Sequence, residues 1–233
     1  MLVIGHRGAA GLAHENTLDA LRAGFEAGAD MLEIDIRVTK DGVPVLAHDF
    51  HTVRTHHDFS IISRLTLDEL RGRLEEPLTT LQEVLDEFFG VVLLNIEVKG
   101  RGSGQIATTF IKNGYIKRPS DWDCVLFSSF YGSELKSIRK ISKRARLSLL
   151  HFDNPFLFIA YERSLRLTAV GFHRLYINPF ALKIAKKVSL FTYAYTVDRP
   201  QAAVILAQQG IDGVVTNYPD QVIAELKRSS LEE

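Results

Sequence analysis

One cysteine, Cys124, stands in 233 residues, so no disulfide can form within the chain. That scarcity fits a reducing compartment, and a cytoplasmic location is expected. Cys124 lies in the apolar run DCVLF and is expected to be a buried core thiol. No apolar run reaches the ~18 residues of a membrane span. The N-terminal MLVIGHRG has no basic region, long apolar stretch or cleavage site, so no signal peptide and no stable membrane insertion are expected. Charge of one sign is also lacking. The 28 Lys+Arg balance 28 Asp+Glu, so nothing global draws the chain to nucleic acid or an anionic surface. No Pro/Gly/Ser-rich linker or low-complexity segment divides it, and one domain over residues 1–233 is expected. The 46% of residues that are hydrophobic suffice for a large core.

Short apolar runs alternate with helical patterns. Main strands are predicted at LVIG (2–5), MLEIDIRV (31–38), VVLLNIEV (91–98), DCVLF (123–127), RLSLLH (146–151), LTAVGF (167–172), VSLFTYAYT (188–196) and DGVVT (212–216). Helices are predicted over 17–29, 67–72, 79–90, 103–113, 132–143, near 200–208 and from Asp220, with Thr79 or Thr80 capping the third. NPFLFIAYERSL (154–165) reads as a helix packed on the sheet, or alternatively as an apolar lip. Eight β-α repeats in this length are the pattern of an α/β, (β/α)8 TIM barrel, with an open doubly wound sheet as the alternative. The short strand VPVLAHD (43–49) and the residues after it form a small insertion after the second strand.

In the second strand Leu32, Ile34, Ile36 and Val38 alternate with Glu33, Asp35 and Arg37. Glu33 and Asp35 therefore share a face, about 7 Å apart along the chain. Glu97 and Lys99 share a face late in the third strand, His6 and Arg7 follow the first, and His48 ends the short one. Barrel active sites sit at the C-terminal ends of strands. Three carboxylates converging there would repel and raise their pKa values, a conflict that a divalent cation removes. All-oxygen ligands favour Mg²⁺ or Ca²⁺. Arg7 and Lys99 beside such an ion would bind a phosphate oxyanion, and His6 and His48 would exchange protons near neutral pH. The constellation suggests metal-assisted cleavage of a phosphate ester.

The motifs HRG (6–8), ENT (15–17), GADMLEIDIRVTKDGVPVLAHD (28–49), LTLDEL (65–70), LTTLQEVL (78–85), NIEVKG (95–100), TYAYTVDRP (192–200) and GIDGVVTNYP (210–219) follow one another in a fixed order. In this the chain resembles the glycerophosphodiester phosphodiesterases over nearly its whole length. The resemblance implies a TIM barrel that uses a divalent ion to hydrolyse glycerophosphodiesters, small-molecule substrates, to an alcohol and sn-glycerol 3-phosphate. It implies Glu33, Asp35 and Glu97 as metal ligands, His6 and His48 as the acid/base pair, and Arg7 and Lys99 as phosphate contacts. Which histidine is acid, which metal serves, the headgroup and the oligomeric state stay open, as does water against a glycerol hydroxyl as attacker. Phospholipase-D-like hydrolysis of lysophospholipid-type esters and a non-catalytic phosphodiester-binding barrel are the rival readings.

The chain departs from the family pattern at three places. His14 stands where Pro precedes the ENT, Tyr195-Thr196-Val197-Asp198 replaces a WTVN-like motif, and Thr216-Asn217 replaces TD. Tyr195 still offers an aromatic face with added hydroxyl polarity, and Phe130 is a candidate for the mouth's lining. Asn16 is expected to shape the first loop near the phosphate. His51, His56 and His57 are expected to be exposed loop histidines rather than a metal site, and His14 receives no role. The glycines of GHRGAAG are read as turn formers.

Overall fold

The computed structural model describes residues 1–76 and 78–231. The chain begins with β1 (Leu2–Gly5), α1 (Leu18–Glu26), β2 (Met31–Val38) and β3 (Pro44–Leu46). Short helices α2 (Val53–His56) and α3 (Leu67–Arg71) complete an excursion before α4 (Leu81–Phe88) and β4 (Leu93–Val98). Next come α5 (Ser103–Gly114), β5 (Val125–Ser129), α6 (Gly132–Ile141), β6 (Arg146–His151), α7 (Glu162–Leu165) and β7 (Ala169–His173). The last elements are α8 (Pro179–Lys187), β8 (Phe191–Tyr195), α9 (Pro200–Gln208), β9 (Gly213–Thr216) and α10 (Pro219–Ser229).

Among the described residues the sheet runs β1-β9-β8-β7-β6-β5-β4-β2, and β1 pairs with β2 to close it. All pairings around this ring are parallel, while β3 adds antiparallel to β2 on the outside, with Ile36 opposite Leu46. The result is the expected eight-stranded barrel with helices between strands, and the excursion is the expected insertion.

Strand alternation sets the two layers. Leu32, Ile34 and Ile36 are fully buried against the helices, with Leu94, Ile96 and the α4 residues Leu81, Val84 and Leu85. Each such side chain contributes roughly 1.5–3 kcal/mol of burial. Glu33 and Asp35 alternate with them and point into the barrel. A one-residue slip of β2 would drive both carboxylates into that apolar layer, so burial fixes the register. Ile4, Met31, Leu126, Leu150, Ala169, Tyr193 and Val215 form a largely apolar cluster inside the barrel. Leu150, Tyr193 and Val215 of this cluster reach the cleft in which Glu33 and Glu97 stand.

Local chemistry starts and stops the helices. Thr80, rather than Thr79, caps α4 and forms a capping box with Glu83, and such a cap contributes about 1 kcal/mol. Gly8 has φ +86, and a Cβ there would lie 2.5 Å from the Ala20 carbonyl carbon, so the first loop packs on α1 only through a glycine.

Two expectations are corrected. Residues 154–165 do not form one helix but a 3-10 turn, Leu157–Ala160, followed by the four-residue α7. Asn154 and Pro155 begin the segment, and the Asn154 side chain accepts from Phe156 N–H in a local turn that competes with a longer helix. Cys124 is half-buried at the end of a 3-10 turn, Pro119–Cys124, before β5 begins, and burial pushes its thiol pKa up.

Candidate active site

Parallel pairing of β2 with β4 sets Glu33 opposite Asn95 and Asp35 opposite Glu97. Glu33, Asp35 and Glu97 each offer an oxygen within 4.8 Å of the others. Arg7 follows β1 in the left-handed region, φ 52, a conformation that costs a non-glycine residue and is held by its contacts. Its backbone N–H donates to Glu33 Oε2 at 2.8 Å, and its Nε lies 3.2 Å from Asp35 Oδ2. Lys99 Nζ lies 3.1 Å from Asp35 Oδ1 and also meets Glu97 Oε1. Asn16, also left-handed at φ 58, completes the cradle. Its amide donates to Asp35 Oδ2 and accepts from the Asp35 backbone N–H, both at 3.0 Å.

The electrostatics follow from burial and spacing. Burial, then the charges of Asp35 and Glu97, push Glu33 well above the usual carboxylate range. Burial pushes Glu97 up to about 7 despite Lys99. Asp35 is as deeply buried, yet Lys99 and Arg7 outweigh desolvation and hold it well below its ordinary value. Glu33 Oε1 is buried without a hydrogen-bond partner. Three converging carboxylates, two of them unwilling to ionise and one with an orphaned oxygen, fit a hard divalent cation.

The two histidines have different outer partners. His6 Nδ1 is 2.7 Å from Asn217 Oδ1, and the Asn217 amide nitrogen donates to Asp198 Oδ2 at 2.8 Å. A carboxylate only accepts, so the Asn217 amide is oriented with its oxygen towards the imidazole. His6 Nδ1 is therefore the donor, and in the neutral ring Nε2 carries the lone pair. Burial, then Arg7, lower the His6 pKa. His48 Nδ1 instead donates to a carboxylate, Asp49 Oδ1, at 2.8 Å. Its backbone carbonyl accepts from Arg37 Nε and Nη2 at 2.9 and 2.7 Å, which fixes the turn after β3. Burial lowers His48 as well, opposed by Asp35 and the Asp49 hydrogen bond and reinforced by Lys99 and Arg7. Outside this pair, Arg54 Nε donates to Asp49 at 2.7 Å while its Nη1 donates to Glu15 Oε2 at 2.7 Å, and Glu15 accepts from Arg7 at 2.8 Å.

His6, Arg7, Glu33, His48, Glu97, Lys99, Phe130 and Tyr195 line one cleft, with Asp35 bridging Arg7 and Lys99 beside it. All nine residues singled out from the sequence are thus brought together. Asn217, Asp198, Asp49, Glu15 and Arg37 were missed. Asp49 and Glu15 stand inside the quoted HD and ENT motifs, and Asp198 and Asn217 are two of the departures. Tyr195 differs from expectation, because its hydroxyl is spent on the His151 carbonyl at 2.6 Å and the ring is what lines the cleft. His51 and His56 are half-buried rather than exposed; His51 lies between Phe50 and Phe59 at 4.6 and 6.0 Å. Among the described residues they join no group close enough to hold a metal.

Residues 6–221 match the family described as the Glycerophosphoryl diester phosphodiesterase family. The chain is 31% identical over 240 residues to a glycerophosphodiester phosphodiesterase of Caldanaerobacter subterraneus, covering 95% of this chain and 96% of that protein. It is similar to an Oleispira antarctica phosphodiesterase solved in complex with the product sn-glycerol-3-phosphate, with TM-score 0.85, 25% identity and 97% of each chain covered. It shares its fold with a glycerophosphodiester phosphodiesterase from Thermotoga maritima, with TM-score 0.83, 24% identity, and 96% and 97% covered. The match over residues 6–221, which spans the mouth where three carboxylates meet Arg7, Lys99 and both histidines, places the chain in the glycerophosphoryl diester phosphodiesterase family, whose members are phosphoric diester hydrolases.

Proposed function

We propose that the chain hydrolyses glycerophosphodiesters to an alcohol and sn-glycerol 3-phosphate. A divalent cation, Mg²⁺ or Ca²⁺, would be held by Glu33, Asp35 and Glu97. When bound, it supplies a positive charge that polarises a phosphoryl oxygen. Arg7 and Lys99 bind and orient the phosphate from the same side and balance the charge that grows on its oxygens.

His6 is the base. Its Nδ1 proton is committed to Asn217, a neutral acceptor, and burial beside Arg7 favours the uncharged ring, so Nε2 is free to take a proton from the attacking oxygen. His48 is the acid. The Asp49 carboxylate on its Nδ1 supports the imidazolium, whose Nε2 proton goes to the leaving alkoxide. The observation that carries the reading is this contrast of partners across a carboxylate cluster that needs a cation. A cytoplasmic location is part of the proposal and rests on the single cysteine; among the described residues no helix is long and apolar enough to cross a membrane.

The test is release of glycerol 3-phosphate from glycerophosphoethanolamine with Mg²⁺, with Ca²⁺ and with chelator, for wild type and Glu33→Gln. Metal-dependent release, cut at least a hundredfold in the variant, is expected. Release that persists in chelator, or in the variant, refutes the cation site. A folded protein inert with every metal refutes the hydrolase reading.

A further inference from the structure

A side pocket of about 230 Å³ adjoins the active-site cleft, and Lys99 lines both. It borders the turn that carries His48. Phe50 forms part of its wall, and Arg37, which also lines it, donates to the His48 carbonyl. Its charged lining is all of one sign, Arg37, Lys99 and Arg101, with the hydroxyls of Ser63 and Ser103 and no carboxylate.

Two of these cations are left over once the ion pairs are drawn. Lys99 is committed to Asp35 and Glu97. Arg37 is half-buried, yet it spends Nε and Nη2 on a neutral carbonyl. The carboxylates its charge reaches, Asp35, Asp49 and Glu97, already have closer cations in Arg7, Arg54 and Lys99. Among the described residues Arg37 Nη1 has no acceptor, and it faces the space left by Gly100, where a Cβ would lie 3.5 Å away. Arg101 is exposed, and among the described residues its guanidinium has no ion pair and no hydrogen bond. The N-terminus of α5 is not the open group here. Glu134 accepts from Gly102 and Gly104 N–H at 3.0 and 2.9 Å, and Ser103 Oγ donates to the Gly100 carbonyl at 2.8 Å. What stays open is a pair of guanidinium groups and the Ser63 hydroxyl, donors that match a carboxylate or a phosphate. His48 protonates the leaving oxygen, so the leaving alcohol departs on this side and its substituent meets the pocket.

We propose that the enzyme selects glycerophosphodiesters whose leaving alcohol carries an anionic group of its own, held in the side pocket by Arg37 and Arg101. This rests on the hydrolase reading above and names its substrate class. Glycerophosphoserine is the simplest case. It differs from glycerophosphoethanolamine by one carboxylate, and the ammonium is common to both. In the hydrolysis an oxygen from water ends bonded to phosphorus and the phosphorus–oxygen bond to serine breaks. The serine oxygen takes a proton, giving sn-glycerol 3-phosphate and serine, with no change of oxidation state.

The experiment measures glycerol 3-phosphate release from these two esters under the same metal, for wild type and Arg101→Gln. Arg37 is left in place because it also holds the His48 turn. Wild type is expected to show a kcat/KM about tenfold higher for glycerophosphoserine, the scale of one charge-assisted hydrogen bond. Arg101→Gln is expected to lose about threefold of that preference, through KM, while its kcat/KM for glycerophosphoethanolamine stays at the wild-type value. Added salt, which screens an exposed guanidinium, is expected to narrow the preference more in wild type than in the variant. An active wild type that treats both esters alike, or favours glycerophosphoethanolamine, overturns the inference and leaves the hydrolase reading intact. A preference that survives unchanged in Arg101→Gln, or an equal loss on both esters, also overturns it. Failure of a folded wild type on both esters overturns the hydrolase reading and the inference with it.

Discussion

Exchanging Asp198 and Asn217 tests the orientation of His6 directly. In the native chain His6 Nδ1 faces an amide oxygen at 2.7 Å, and the carboxylate stands one residue further out, 2.8 Å from the amide nitrogen. The double variant Asp198→Asn with Asn217→Asp keeps an amide against a carboxylate and moves the negative charge onto the imidazole. Asn217→Asp alone would press two carboxylates together and confuse the result. A unit charge about 4 Å from the ring centre, at an effective dielectric of about 20, gives at most about 4 kcal/mol. Opposite charges at this range shift a pKa by about 1–3 units, and the positive Arg7 nearby argues for the lower half. The base must be neutral, so raising its pKa removes active enzyme on the acid side. The acid limb of the kcat/KM profile should move up by about 1–2 units, with the rate at high pH nearly unchanged. The measurement is kcat/KM for glycerophosphoethanolamine from pH 5 to 9. An acid limb that stays in place in the folded double variant, or moves down, refutes the assignment of His6 as base.

Asp49→Asn should act on the other limb: removing the carboxylate from His48 Nδ1 lowers its pKa, so the alkaline limb of the same profile moves down. Asn16→Ala removes both bonds to buried Asp35 and should cost about 2 kcal/mol, read as a drop of roughly 4–8 °C in melting temperature. In chelator, Glu97 contributes stability that is complete below its ordinary value of 4.5 and is lost as pH rises through about 7. That range corresponds to about 3 kcal/mol, opposed by His6, His48 and His151, whose lowered pKa values add stability as pH rises. Thermal melts in chelator from pH 5 to pH 8 are therefore compared with those of Glu97→Gln: wild type should lose more stability than the variant as pH rises, and added Mg²⁺ should reverse the difference. The same pH dependence in both proteins would contradict the strained cluster. Gly8→Ala should abolish soluble expression, because its Cβ has no room against α1.

The ligand face of the barrel was legible because strand alternation is local. Leu32, Ile34 and Ile36 declare the helix side, and Glu33 and Asp35 must then face inwards. Glu97 and Lys99 follow the same rule one strand over. The partners of His6 were not legible. Asn217 reaches His6 across 211 positions, through the pairing of β1 with β9 that closes the barrel. Asp198 arrives from the end of β8. No spacing encodes that meeting, so these two positions looked only like departures from a pattern. The segment 154–165 misled for another reason: Phe158 and Leu165 are buried while Phe156 and Ile159 are exposed, so its apolar residues form no single helical stripe.

Arg54 occupies a position on the surface helix α2 that nothing in its neighbourhood would mark as sensitive. It holds Asp49 with one nitrogen and Glu15 with two others, and through them it touches both His48 and Arg7. Positions 15, 49 and 54 are therefore not free to drift singly. Loss of the guanidinium leaves two carboxylates facing each other beside the cleft, and loss of either carboxylate leaves a cation hunting for a partner near the phosphate side. Over evolutionary time the three should change together or stay, and a variant at one should be rescued by a charge-compensating change at another more often than by any nearby apolar substitution.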